Sequence, residues 1–247
     1  MSRHKLLRIN SNERDNKTNT TSDFVVSFNN ADALQSVKRI VIKQIDIPMV
    51  FYNINSSNNT FVYEVSSVES QIILPVGNYT VASLIIGLEE LLTAVGFGIE
   101  LVSFLGKFSF TTTTAITYLT SERNPLAKVL GITQQSEGDV STFLAGGFPN
   151  LAGPAEVYIA SKTLSDAANL LDPVLYSLPV FASVPITVPF GAIEHYVSSH
   201  PEIDDIIYSS VGHGKNIQSI DITLYDNKGA VLDLQGLDLN IILKIYY

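Results

Sequence analysis

Ile217-Gln-Ser-Ile220-Asp-Ile222-Thr-Leu224-Tyr-Asp226-Asn-Lys-Gly229 begins the C-terminal segment whose reading decides the fold. Ile220, Ile222 and Leu224 alternate with Asp221, Thr223 and Tyr225, the period of a strand with one dry face and one wet face. Asp226-Asn-Lys-Gly229 is a turn, because Asp and Asn bond their own backbone and Gly accepts the positive φ that closes a bulged hairpin. Ala230 to Asp238, with Gly236, leads into Leu239-Asn-Ile241-Ile-Leu243-Lys-Ile245-Tyr-Tyr247. Here Leu239, Ile241, Leu243, Ile245 and Tyr247 share a face, while Ile242 and Tyr246 make the other face partly apolar. A strand covered on both sides is expected, with its end tied into a sheet.

Working outward, the chain of 247 residues holds 46% hydrophobic and only 16% charged residues, and no Cys. Average soluble proteins carry about 25% charged residues. A mean hydropathy of +0.23 with so few charges implies that part of the exterior is covered by other subunits. Disulfides and thiolate metal sites are excluded. A net charge of −9 argues against gripping nucleic acid phosphates. The exception is a basic start, Arg3, His4, Lys5 and Arg8, which reads as an assembly arm meeting a neighbouring subunit or an internal acidic partner. No apolar run follows Ser2-Arg-His-Lys5, so no secretory signal is expected. The apolar stretch 81–105 is interrupted by Gly87, Glu89, Glu90, Gly96, Gly98 and Glu100, so no membrane insertion is expected.

Toward the N-terminus, residues 1–22 are expected as an arm and 23–247 as one domain. Strands are expected over 24–28, 36–47, 59–65 and 70–74. An amphipathic helix follows, capped by Thr80 or Asn78, with Val81, Leu84, Ile85, Leu88, Leu91, Leu92 and Val95 on one stripe. Residues 99–104 and 107–114 read as a hairpin with Phe108 and Phe110 inward. Asn124-Pro-Leu-Ala-Lys-Val-Leu-Gly131 reads as a short helix with Asn124 as cap and Gly131 at its end. Residues 133–154 are polar and Gly-rich, and are expected as an exposed loop. Residues 155–160 form a strand, 166–171 one helical turn, and 178–193 an irregular extended stretch containing three prolines. Further strands fall within 188–197 and 203–209. Eight to ten strands with one or two helices fit an all-β single jelly-roll sandwich of about eight core strands.

These pieces also resemble, in order and spacing, the penton proteins of virophages and of Polinton-like and adenovirus-like viruses. The matching motifs are Arg14-Asp15, Ser22-Asp23-Phe24, Ile47-Pro48, Tyr52-Asn53-Ile54, Asn58-Asn59-Thr60-Phe61, Leu74-Pro75-Val76-Gly77-Asn78-Tyr79-Thr80, Leu130-Gly131-Ile132, and the tail containing Asp226, Gly229 and Gly236. The resemblance implies a single jelly roll and a structural role in the virion. Five copies would form a homopentamer at each icosahedral vertex, among trimers of a double-jelly-roll major capsid protein and beside internal minor capsid proteins. Larger relatives insert a second domain between strands; this chain is expected to have no room for one.

No enzyme chemistry is legible, and no cofactor is expected. Gly-x-Ser-x-Gly is absent. Gly96-Phe-Gly98 follows a helix instead of a strand, so it reads as a cap and not as a dinucleotide loop. Glu194-His195, His200-Pro-Glu202 and Asp204-Asp205 lack the helical spacing of a metallohydrolase, so no metal is expected. The alternative function is a carbohydrate- or receptor-binding jelly roll, using Phe143, Phe148, Tyr176 and Tyr196 as exposed aromatics. The absence of Trp counts against it.

Overall fold

The computed structural model describes residues 4–16, 19–28, 34–93, 96–118, 124–134, 140–164, 178–198, 206–209 and 214–247. The chain runs through β1 (His4–Asn10), β2 (Asp23–Ser27), β3 (Leu34–Val37) and β4 (Arg39–Pro48). Tyr52–Gly153 then forms a compact unit of its own. That unit holds β5 (Thr60–Val65), β6 (Val68–Ile73), α1 (Val81–Thr93), β7 (Phe97–Val102), β8 (Lys107–Tyr118), α2 (Pro125–Val129) and β9 (Val140–Leu144). The chain returns with β10 (Glu156–Ala160), β11 (Val180–Pro185), β12 (Ile193–Val197), β13 (Ile206–Ser209), β14 (Lys215–Ile217), β15 (Ser219–Tyr225) and β16 (Asn240–Tyr246). Met1–Phe51 and Pro154–Tyr247 together make the other unit.

This unit, formed from both flanking segments of the sequence, is the jelly roll. Eight strands pair as four nested antiparallel couples: β1 with β16, β2 with β15, β4 with β12, and β10 with β11. The couples wrap so that β16 also pairs with β4, and β15 with β10. Two sheets result, ordered β1-β16-β4-β12 and β11-β10-β15-β2, with β13 joining β4. Such rolled-up hairpins make the two Greek keys of a jelly roll. β3 and β14 form a separate small pair.

The alternation in the C-terminal segment does what its period requires. Ile220, Ile222 and Leu224 from one sheet, and Ile241, Leu243 and Ile245 from the other, are fully buried in one core. Phe24, Ile9, Ile45 and Val157 join them, so the inner faces of the two sheets pack on each other. Tyr246, on the outward side of β16, is 5% exposed, but Asn240, Ile242 and Lys244 on that side are half-buried, so the strand is covered on its inner face and only at one end of its outer face. The turn at 226–229 forms as expected: Gly229 has φ 78, and Asp226 Oδ1 accepts the N–H groups of Lys228 and Ala230. The hairpin it closes is only a stub. Tyr225 bridges Val231, and then a turn with Gln235 and Gly236 at positive φ carries the chain across to the other sheet.

The inserted unit has its own core. Its sheet runs β6-β5-β8-β7, with β9 on β8. Leu84, Leu88 and Leu92 of α1 pack with Phe61, Phe108 and Phe110. Thr80 caps α1: its Oγ1 accepts from Ser83 N–H, while its own N–H donates to Ser83 Oγ, 2.9 Å away.

Five further expectations change. A second unit is present in sequence between β4 and β10, where no room for one was expected. It goes unseen in the sequence because the chain passes from Phe51 to Tyr52 and from Gly153 to Pro154 without a linker-like stretch. Residues 133–154 are not wholly an exposed loop: β9 pairs with β8, and Phe143 stacks on Phe110 with ring centroids 4.7 Å apart. The strand over 36–47 breaks at Lys38 into β3 and β4. The stretch 178–193 contains β11, which runs to Pro185 with Pro179 just outside it; both prolines punctuate the strand instead of preventing it. Asn124 does not cap α2 with its side chain. That side chain is fully buried and brackets Val62, accepting its N–H at 3.1 Å and donating to its carbonyl at 2.8 Å. The expected helical turn at 166–171 lies outside the described residues, as do 203–205 of the expected strand 203–209.

Candidate assembly surfaces

The motif residues fall into two structural clamps. In the inserted unit, Asn53 ties three points together. Its Nδ2 donates to Tyr79 O at 2.7 Å and to Leu151 O at 3.0 Å, and its Oδ1 accepts Tyr79 N–H at 2.8 Å. Asn53 follows half-buried Tyr52, and the first and last residues of the unit are thereby held together. Gly77 bridges Ile54 through paired backbone bonds. A Cβ on Gly77 would sit 3.2 Å from the Tyr79 ring, so glycine here makes space for that ring. Tyr79 Oη donates to Pro75 O, and burial pushes its phenol pKa up. Asn78 is exposed.

In the jelly roll, Arg14 donates to Ser11 O and Asn19 O, and Asp15 accepts Ser27 N–H and its hydroxyl. Asp221, on the outward side of β15, holds the loop after β10. It accepts the Thr163 hydroxyl at 2.6 Å and the N–H groups of Lys162 and Thr163. Burial pushes its carboxyl pKa up, but these bonds outweigh burial and hold it below the ordinary aspartate value of 3.8. A carboxyl depressed by folding stabilises the folded chain above its unfolded value. That contribution disappears as the pH falls through the lower folded value. Asp221→Asn is therefore expected to lose about 1–3 kcal/mol at neutral pH. The gap from the parent protein should narrow on acidification below pH 3.8, as chemical denaturation at a series of pH values will show.

Of the residues expected in an assembly arm, His4 and Arg8 lie on the outward face of the β1-β16-β4-β12 sheet, while Lys5 has the parity of the inward Leu7 and Ile9. His4, Leu6, Arg8 and Asn10 alternate with the inward Leu7 and Ile9. Thus His4, Lys5 and Arg8 belong to an edge strand of the sheet. Arg3 lies outside the described residues. A polar chain crosses all four strands. Arg8 Nε donates to Asn240 Oδ1 at 2.7 Å, Asn240 Nδ2 donates to Asp46 Oδ2 at 2.8 Å, and Asp46 Oδ1 lies 2.9 Å from His195 Nδ1. Burial raises the Asp46 carboxyl, while bonds from His195, Gln44 and Asn240 bring it below its ordinary value. At the other end of the face, Arg39 stacks over Tyr246 at 4.1 Å, and Lys244 lies 4.9 Å from the same ring. Leu6, Ile193 and Val197 are 66%, 49% and 62% exposed beside these polar groups.

Glu194 and His195 point to opposite sides of β12. Buried Glu194 accepts the N–H and hydroxyl of Thr187, while His195 faces Asp46. They do not converge on a metal position. Among the described residues no three His, Asp or Glu side chains cluster as ligands. His200, Glu202, Asp204 and Asp205 lie outside those residues. Among the described residues no helix is long and apolar enough to cross a membrane. The four aromatics considered for ligand contact separate. Phe143 is buried, Tyr196 is half-buried on β12, Phe148 is 68% exposed, and Tyr176 lies outside the described residues. Sequence reasoning missed Phe104, which is 85% exposed at the tip of the β7–β8 hairpin; its place at the turn was legible, its exposure was not.

The strand pairing defines an all-β jelly roll with a second compact unit inserted between β4 and β10. No family model matches the chain, and no curated protein sequence matches it. Among solved structures, the mavirus penton protein is similar over 99% of this chain and 99% of its own, with a TM-score of 0.53 and 10% identity. At that identity the likeness establishes a shared fold.

Proposed function

We propose that this chain is a penton-type capsid subunit of a virophage-like virus. Five copies close each icosahedral five-fold vertex, among trimers of a double-jelly-roll major capsid protein and above internal minor proteins. Its site of action is the virion, and its work is geometric: the pentamer supplies curvature that six-fold neighbours cannot. The observation that carries this reading is the end-to-end likeness to the mavirus penton protein, which spans both units and leaves almost no residue of either chain unmatched. The exposed apolar side chains on the outward face of β1-β16-β4-β12, in a chain of few charges, support a surface completed by other copies.

Native mass spectrometry tests the proposal. A species of five times the 26.9 kDa chain is expected at micromolar concentration, with density at the vertices of particles that contain it. A monomer at every concentration and salt, absent from vertices, would overturn it. Exposed Phe104 and Phe148, with the Phe148 ring against the Gly106 turn, favour a second reading, in which the inserted unit contacts a glycan or receptor. Retention on a glycan array, lost in Phe104→Ser, would support that reading.

A further inference from the structure

The jelly roll has two outward faces, and its charge is divided between them. On the face built from β1, β16, β4 and β12, the register points Arg8, Lys244 and Arg39 outward, with His4 and His195, against the single carboxylate of Asp46. Asp46 is already held by His195, Gln44 and Asn240. On the opposite face, β2 and β10 point Asp23 and Glu156 outward. Asp221 of β15 lies on the same side but is taken up by the loop after β10, and Tyr158 and Ala160 of β10 on that side are buried. The four strands of that sheet contain no Lys, Arg or His; the nearby cations are Lys162, in the loop that binds Asp221, and Lys215, whose Nζ donates to Thr163 O at 3.3 Å. The hydrogen bonds of Asp23 and Glu156 come from the neutral hydroxyls of Thr223 and Ser183 and cancel no charge.

Copies of a chain with a net charge of −9 repel one another unless unlike patches meet. We infer that the cationic β1-β16-β4-β12 face of one copy docks on the acidic β11-β10-β15-β2 face of the next. This rests on the proposed assembly of the chain with itself and names the surfaces that perform it. The two patches lie on opposite sides of one sandwich, so a two-fold contact would set each charged face against its like. The contact is head-to-tail, the kind that closes into a ring when its rotation permits. Exposed Leu6, Ile193 and Val197 lie among the cationic groups and supply the apolar area that such a contact buries. The charges supply register and suppress the wrong pairing of like faces.

Charge exchange provides the test. Arg8→Glu with Lys244→Glu makes both faces acidic, and Asp23→Lys with Glu156→Lys makes both cationic. Each double variant is expected to self-associate about tenfold or more weakly than the parent at low salt, by sedimentation and native mass. Their circular dichroism and thermal unfolding should match the parent, because these side chains are exposed or half-exposed. Mixing the two variants restores unlike contacts, so association returns in open or even-numbered species with equal numbers of each, while a closed ring of five, being odd, keeps one like junction and stays disfavoured. Combining all four substitutions in one chain inverts both faces and restores self-association. In the parent, association weakens as salt rises from 0.05 to about 1 M, where the Debye length shrinks from over 10 Å to about 3 Å. If the parent forms pentamers and both double variants do so equally well, the face assignment is wrong and the penton reading survives. If the parent never associates, the penton reading itself is wrong.

Discussion

Asn53→Ala is expected to cost about 3–4 kcal/mol of stability, making it one of the two most damaging substitutions foreseen here. Asn53 is 9% exposed, and its side chain satisfies the Tyr79 N–H, the Tyr79 carbonyl and the Leu151 carbonyl. Alanine removes all three bonds and leaves their partners inside the fold without replacements. An unmade bond at a buried group costs about 1–3 kcal/mol, more than the net gain from making it. Hydrogen exchange followed by mass spectrometry will locate the effect. Protection should fall first in residues 52–59 and 74–80 and around Leu151, while β15 and β16 keep theirs. Uniform loss across both units, or a change below about 1 kcal/mol in denaturant, would show that Asn53 is not a clamp.

Gly131→Ala should be of similar size, for a steric reason. Gly131 ends α2 with φ 76, a conformation that costs an alanine about 1 kcal/mol. Its added Cβ would also stand 2.5 Å from Gly147 O and 2.7 Å from Phe148 O. These are backbone atoms and cannot swing aside. The contact is made tight by Gly147 N–H donating to Gly131 O at 2.7 Å. Overpacking of this kind costs about 1–3 kcal/mol, so a total of about 2–4 kcal/mol is expected. Gly153→Ala is the control, because its added Cβ meets nothing within 4 Å. Equal denaturation midpoints for the two variants would remove the steric argument.

Local periods told the truth wherever one face is buried and the other is wet. Ile220, Ile222 and Leu224 on β15, and Leu84, Leu88 and Leu92 on α1, announce their partners by spacing alone. Gly131 and Gly229 were legible because their conformations exclude nearly every other residue. Hidden features depended on distance along the chain. Nothing near Asn53 reveals that its partners lie 26 and 98 residues away. Asn124 sits where a cap belongs, yet it serves Val62, 62 residues upstream. β9 is five residues long in a Gly-rich setting, and only its pairing with β8 makes Phe143 a core residue. The division of charge between two faces required the register of eight strands. Arg8 and Arg39 are 31 positions apart, and only β16, between their strands, brings them to one surface.

β16 is the last strand described, yet it lies between β1 and β4 at the centre of its sheet. His4 must find Tyr246. During synthesis, at about 5–20 residues per second, β1 therefore waits without its neighbour until β16, more than two hundred residues later, has emerged. The pairings of the inserted unit join residues far nearer in sequence and can form during that wait. A nascent chain that has not reached Tyr246 has two open strand edges and no complete cationic face. The order of translation thus acts as a gate on folding, holding the β1-β16-β4-β12 sheet incomplete until its central strand arrives.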